Sequence, residues 1–176
     1  MCVHDEVTPL QPGERAPDFT LPRSAYASVS LADVRGQRVI LVFYPADWEP
    51  VSQQQLTLYQ LYLVEFTNNK AQVVAISGDQ IWSHAAFAQA VGIRYPLLSD
   101  VHPRGEVARA YRVFDDGGDT CRRALFVIDE EGIIRWSRSF PAAINPGVGG
   151  ILSALESISS HRSAVSASEA DIQTTT

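Results

Sequence analysis

The sequence predicts an α/β fold in which helices cover both faces of a mixed central sheet. Three observations carry this expectation. Apolar runs at residues 38–44 (RVILVFY), 72–77 (QVVAIS) and 124–129 (ALFVID) are nearly continuous, as in strands buried on both faces. Segments with helical periodicity lie between the runs. The last run continues through a short polar turn, Glu130, Glu131 and Gly132, into 132–137 (GIIRWS), which makes part of the sheet an antiparallel hairpin.

The elements follow in order. APDFTLP and the residues around 29–31 (VSL) suggest short edge strands ahead of the core. After the 38–44 strand, residues 52–66 (SQQQLTLYQLYLVEF) lack Gly and Pro and place Leu56, Tyr59, Leu63 and Phe66 on one helical stripe. Leu58, Leu61 and Tyr62 add apolar surface off that stripe, as in a deeply packed helix or one touching a second copy. A second helix spans 80–91 and stops at Gly92, a short third spans 105–111, and 148–158 closes the domain. The order is β–α–β–α–β, a short helix, a hairpin and a final helix, which is that of a thioredoxin-like fold. A chain of 176 residues with 45% hydrophobic content fits a single domain at 13–158, preceded by an extension at 1–12. From Ser159 to Thr176 the chain turns polar and aperiodic and reads as a disordered tail.

Charge and composition exclude several functions. Fourteen basic residues (14 Lys plus Arg) against 20 acidic ones give a net charge of −6, which argues against a nucleic-acid partner. No apolar run approaches the roughly 18 residues of a membrane span. The first residues lack the basic-then-apolar order of a signal peptide, so a cytoplasmic protein is expected. Cys2 and Cys121 form no C-x-x-C pair and read as incidental thiols, although Arg122 and Arg123 beside Cys121 would lower its pKa. His84 and His102, with Asp79 and Asp100, match no metal-ligand spacing, and neither a metal nor a cofactor is expected. Without a G-x-S-x-G elbow, a hydrolase pairing Ser52 with His84 or His102 is disfavoured. Trp48 and Trp82 read as packing residues.

Residues 44–52 (YPADWEPVS) run from a buried strand into a helix N-terminus, where unpaired amides and the helix dipole favour negative charge. A cysteine there would ionise readily; the residue is Ser52, itself a good N-cap. With Pro45, Glu49 and Ser52 in the places of a P-x-x-x-T/S-x-x-C loop, the sequence resembles the peroxiredoxins, the alkyl hydroperoxide reductase and thiol-specific antioxidant family. The resemblance covers roughly residues 13–158 through GERAPDFTLP, LVFYPADWEPV, AQVVAISGD, HAAFA, YPLLSD, VARAYRV, RALFVID, GIIRWS and NPG, in the family's order.

The resemblance implies a catalytic position at Ser52 for the peroxidatic cysteine. It places the peroxide-contacting hydroxyl at Glu49, the shielding proline at Pro45, the guanidinium that steadies thiolate and peroxide at Arg123, and a lost resolving cysteine at Ser83. It also implies a peroxide substrate, a thiol reductant and a homodimer. Gln53, Gln54 and Gln55 replace polar and acidic residues common in the family. Serine cannot be oxidised to the sulfenic acid through which the family's reaction runs. The chain is therefore expected to be inactive as a peroxidase, with a non-catalytic binding or oligomeric scaffold as the alternative.

Overall fold

The apolar strands find one another as a five-stranded sheet. The computed structural model describes residues 8–172, with side chains as far as His161, so Cys2 lies outside the described residues. Two strands, β1 (Thr20–Ser24) and β2 (Ala27–Ser30), come first, then a 3₁₀ turn and β3 (Arg38–Phe43). Helices α1 (Pro50–Leu61) and α2 (Leu63–Asn68) precede β4 (Ala71–Ser77), α3 (Ile81–Val91) and β5 (Leu97–Ser99). Helix α4 (Glu106–Ala110) leads to the two-residue strands β6 (Phe114–Asp115) and β7 (Thr120–Cys121), then β8 (Arg123–Ile128), β9 (Ile134–Phe140) and α5 (Gly149–Ile172).

The central sheet has the order β5-β4-β3-β8-β9. β3, β4 and β5 are parallel, whereas β8 lies antiparallel to β3 and β9 antiparallel to β8. Every residue of β3 and β8 is buried, as their unbroken apolar runs require of strands covered on both faces. Val39, Leu41, Phe43, Ala124, Phe126 and Ile128 face one core, with Phe19, Leu31 and Tyr111. Ile40, Val42, Tyr44, Leu125 and Val127 face the other, with Leu56, Tyr59, Phe87 and Leu155 from the helices.

Three expectations need correction, and one hairpin lies outside them. β1 and β2 pair only with each other and form a separate hairpin rather than edge strands of the main sheet. The helix expected over 52–66 breaks at Tyr62 (φ −90°, ψ 7°). That break turns Phe66 inward against Tyr59, with ring centroids 6.3 Å apart, and leaves Leu61 and Val64 exposed. A small β6–β7 hairpin was not foreshadowed, because two-residue strands carry no periodic signal. The last helix does not end near Ile158 but runs to Ile172, so residues 159–172 are helical rather than an irregular tail. That stretch has no Gly or Pro and carries Ala164, Ala167, Glu169 and Ala170, good helix formers that extend a helix already nucleated on the core.

Candidate functional site

The register of β3 against β8 sets the site. Phe43 pairs with Ala124, so Arg123 begins β8 opposite the point where the chain leaves β3 for α1. Arg123 shares the side-chain face of Leu125 and Val127, which is the face that α1 covers. The guanidinium is buried, 1% exposed. Its Nη2 donates to Glu49 Oε2 at 2.9 Å and to the Ala142 carbonyl at 2.8 Å. Nη1 donates to Gln55 Oε1 at 2.5 Å and to Ser52 Oγ at 3.3 Å, and Nε donates to the Ala142 carbonyl at 3.1 Å.

Glu49, not Ser52, caps α1. Pro50 follows it at the first helical position, where the missing N–H is not needed. The carboxylate then accepts the next two amides, Val51 N–H at 3.0 Å and Ser52 N–H at 2.6 Å. Ser52 sits a turn too late to cap. Its hydroxyl donates to Glu49 Oε2 at 2.7 Å while accepting from Arg123. One carboxylate thus collects two helix amides, a hydroxyl and a buried guanidinium. Partial burial opposes its ionisation, but the hydrogen bonds from Ser52, Val51 and Arg123 outweigh that and hold Glu49 down to about 2.

This value decides what Ser52 can do. A serine needs a base to remove its proton, and a carboxylate with a pKa of about 2 is far too weak. His84 is engaged elsewhere: its Nδ1 lies 2.9 Å from Asp47 Oδ2 and its Nε2 3.2 Å from the Leu98 carbonyl. No base activates Ser52 among the described residues. The value also carries a pH prediction. Because the folded value lies below the ordinary 4.5, the stabilisation is complete above that pH and is lost as the pH falls toward about 2. Glu49→Gln is expected to lower the melting temperature at neutral pH, with the difference from the parent chain closing at about pH 2.

Ser83, given by resemblance as a resolving position, belongs to a second polar group. Its Oγ donates to Asp47 Oδ2 at 2.7 Å, and Tyr44 OH donates to Asp47 Oδ1 at 2.8 Å. Burial opposes ionisation of Asp47, yet His84, Ser83 and Tyr44 together lower its pKa. The Asp47 amide donates to Asp79 Oδ2 at 2.8 Å, so both the backbone and the side chain of Asp47 are tied to the β4 and α3 side. Beside it Trp48 takes a left-handed φ of 64°, an unusual conformation for a bulky residue, and the next residue begins the helix cap. Pro45 is half-buried in the same loop, and its carbonyl accepts from Thr120 Oγ1 at 2.6 Å.

The remaining candidates disperse. Asp100 accepts the Val107 and Ala108 amides at the start of α4, at 3.2 and 2.9 Å, and His102 is exposed in the preceding turn. Trp48 rests edge-on against Phe87 at 5.2 Å but is half exposed, and Trp82 is 71% exposed, so Trp82 is not a packing residue. Cys121 runs opposite to the expectation from its arginine neighbours. It is buried in the face opposite α1, and burial, followed by the Asp100 and Asp79 charges, pushes its thiol up to about 12. In a Cys2→Ser background Cys121 is therefore expected to resist a thiol reagent in the native protein and to react at once in denaturant.

Sequence reasoning missed Gln55 and Asp47. Gln55 lies three residues beyond Ser52, on the same helical face, and that spacing was the available signal. Asp47 gave none, since its partners come from just beyond β3 and β4 and from α3.

The chain as a whole has clear relatives. The AhpC/TSA family model matches residues 12–137. Alkyl hydroperoxide reductase E of Mycobacterium tuberculosis is 38% identical over 129 residues, 73% of this chain and 84% of that protein. A putative peroxiredoxin of the same organism is 42% identical over 135 residues, 73% of this chain and 85% of that protein. Reduced 2-Cys peroxiredoxin of Plasmodium vivax superposes with a TM-score of 0.80 at 26% identity, covering 88% of this chain and 85% of its own. The shared fold is the thioredoxin-like one of the peroxiredoxins, whose reaction is thiol-dependent reduction of peroxides. With its fold and most of its length matched, the chain belongs to the AhpC/TSA family of peroxiredoxins.

Proposed function

We propose that this chain is a peroxiredoxin-family protein that is inactive as a peroxidase, because Ser52 stands at the peroxidatic position. One observation carries the reading: the Glu49 carboxylate lies on Arg123, the α1 amides and Ser52 Oγ at once. That is where an attacking thiolate and its peroxide would need the same donors. The site already contains its anion, covalently attached and held ionised. The chemistry agrees, because attack by a serine oxygen on a peroxide would only form another O–O bond, whereas sulfur gains a stable oxidised state.

The family partners, a peroxide and a thiol reductant, apply to this chain only if a cysteine stands at 52. Ser83 would then be the counterpart of a resolving thiol, and its bond to Asp47 holds it within the other polar group. The second reading is a non-catalytic scaffold. It draws on exposed Trp48 and Trp82 near the site and on Leu61 and Val64 at the α1–α2 break. A homodimer and a cytoplasmic location fit this reading; no helix among the described residues is long and apolar enough to cross a membrane.

The test is hydrogen peroxide consumption by the purified chain with dithiothreitol, followed by mass spectrometry of the peptide holding Ser52. No turnover above buffer and no added oxygen at Ser52 are expected. Turnover through Cys121 or Cys2 would overturn the reading, since the chemistry would then have moved to another residue.

A further inference from the structure

Both ring nitrogens of His84, a residue 2% exposed on α3, face hydrogen-bond acceptors. Nδ1 lies 2.9 and 3.1 Å from the two carboxylate oxygens of Asp47, and Nε2 lies 3.2 Å from the Leu98 carbonyl of β5. Tyr44 OH is 3.3 Å from Nδ1, but its one proton goes to Asp47 Oδ1, so toward the ring its oxygen can only accept. A neutral imidazole has a single N–H and would leave one nitrogen lone pair against an acceptor, away from water. A proton on each nitrogen satisfies every contact. Asp47, whose pKa is lowered although burial opposes its ionisation, supplies the counter-charge. Tyr44 and Ser83 fill its remaining lone pairs, as a buried ion pair requires.

The pair stands on the loop that leads to Glu49. The Asp47 amide donates to Asp79 Oδ2, which also accepts from Ser77 Oγ at 2.6 Å. Two residues later Glu49 is pinned by the α1 amides and Arg123. Between these anchors Trp48 holds its left-handed φ of 64°, which a bulky residue ordinarily avoids. Such a conformation persists where the surroundings over-determine it, and here both neighbours are fixed.

We propose that His84 is a buried imidazolium whose pairing with Asp47 latches the 45–49 loop to α3, with Trp48 transmitting that hold to Glu49. His84 and Asp47 are then positioning residues for the Arg123 group, which neither of them touches. When the latch opens, Trp48 relaxes out of the left-handed region and draws the Glu49 carboxylate away from Arg123 and the helix amides.

The test follows two NMR signals in the full chain, and neither depends on peroxide chemistry at position 52. In the folded parent at pH 7, both ring nitrogens of His84 are expected to carry a proton. The Glu49 carboxyl is expected to titrate at about 2. In Asp47→Asn one ring nitrogen is expected to lose its proton, and the Glu49 midpoint to climb toward the ordinary 4.5. Ser83→Ala, which removes one hydrogen bond to the latch and leaves the ion pair, is expected to raise the Glu49 midpoint by less. Asparagine tolerates the left-handed region. Trp48→Asn added to Asp47→Asn is therefore expected to return Glu49 to near 2. A merely structural role for Asp47 would give no such rescue. The proposal is overturned if His84 of the parent holds a single ring proton. It is equally overturned if Glu49 stays at about 2 in both Asp47→Asn and Ser83→Ala, or if Trp48→Asn fails to restore it. Should Asp47→Asn not fold, the parent ring signals and Ser83→Ala decide the matter by the same criteria.

Discussion

Ser52→Cys is expected to convert the peroxide-inert chain into a slow thiol peroxidase, and Ser52→Cys with Glu49→Thr into a faster one. The new sulfur would stand in the first turn of α1, where helix amides and the buried Arg123 favour thiolate. Against them stands Glu49, whose Oε2 lies 2.7 Å from the present hydroxyl oxygen. A like charge at that range raises a pKa by about 1–3 units. While the thiol's pKa stays above the assay pH, each unit means about tenfold less thiolate. The double variant should therefore consume peroxide at least about tenfold faster than Ser52→Cys alone. It should also carry one added oxygen at position 52 after brief exposure. Equal rates would mean that Glu49 turns away from the thiolate. If neither variant oxidised at 52, the loop would hold no reactive site, and the scaffold reading would replace the redox one.

Arg123→Leu is expected to be the most destabilising single change at the site. The guanidinium is buried and makes five hydrogen bonds, to Glu49, Ser52, Gln55 and twice to Ala142. Its removal strands the buried Gln55 Oε1, takes the donors from the Ala142 carbonyl and leaves Glu49 without its counter-charge. Breaking a buried pair by losing one partner costs about 3–5 kcal/mol, and Glu49, about one-third exposed, puts the expectation at the lower end. Glu49→Gln keeps a hydrogen-bonding side chain and should cost only about 1 kcal/mol. Because the two residues touch, Arg123→Leu with Glu49→Gln should lose less than the sum of the two, as read from urea unfolding midpoints. Strict additivity would mean that the 2.9 Å contact contributes nothing to stability.

The strands and the site followed different rules of legibility. Residues 38–44 and 124–129 announce themselves because a strand buried on both faces must be apolar throughout, and β3 and β8 are buried at every position. Ser52, Glu49 and Arg123 were singled out by a resemblance to a motif, and the structure brings the three into one hydrogen-bonded group. The division of labour among them was not legible. Serine is the better cap by intrinsic preference, but the chain enters the helix through Pro50, and the carboxylate one residue earlier reaches the two free amides first. Cys121 failed for a related reason. Adjacency in sequence placed two arginines beside it, whereas the chain changes strand at Arg122: Cys121 ends β7 with its thiol in one core, and Arg123 begins β8 with its guanidinium on the α1 face. The end of α5 was misjudged because polar composition says little about helicity when alanine is frequent and nothing breaks the chain.

The pairing of Phe43 with Ala124 has a wider consequence. Side chains alternate along β8, so sliding it past β3 by one residue would swing Arg123 from the helix-covered side into the apolar core around Phe43 and Tyr111. The same slip would expel Leu125 and Val127 from their own core. Misalignment is therefore penalised twice, by a stranded cation and by two misplaced aliphatic groups. The position of a single guanidinium is guaranteed by an entire strand, and substitutions at 49 and 52 can exchange one chemistry for another without disturbing it.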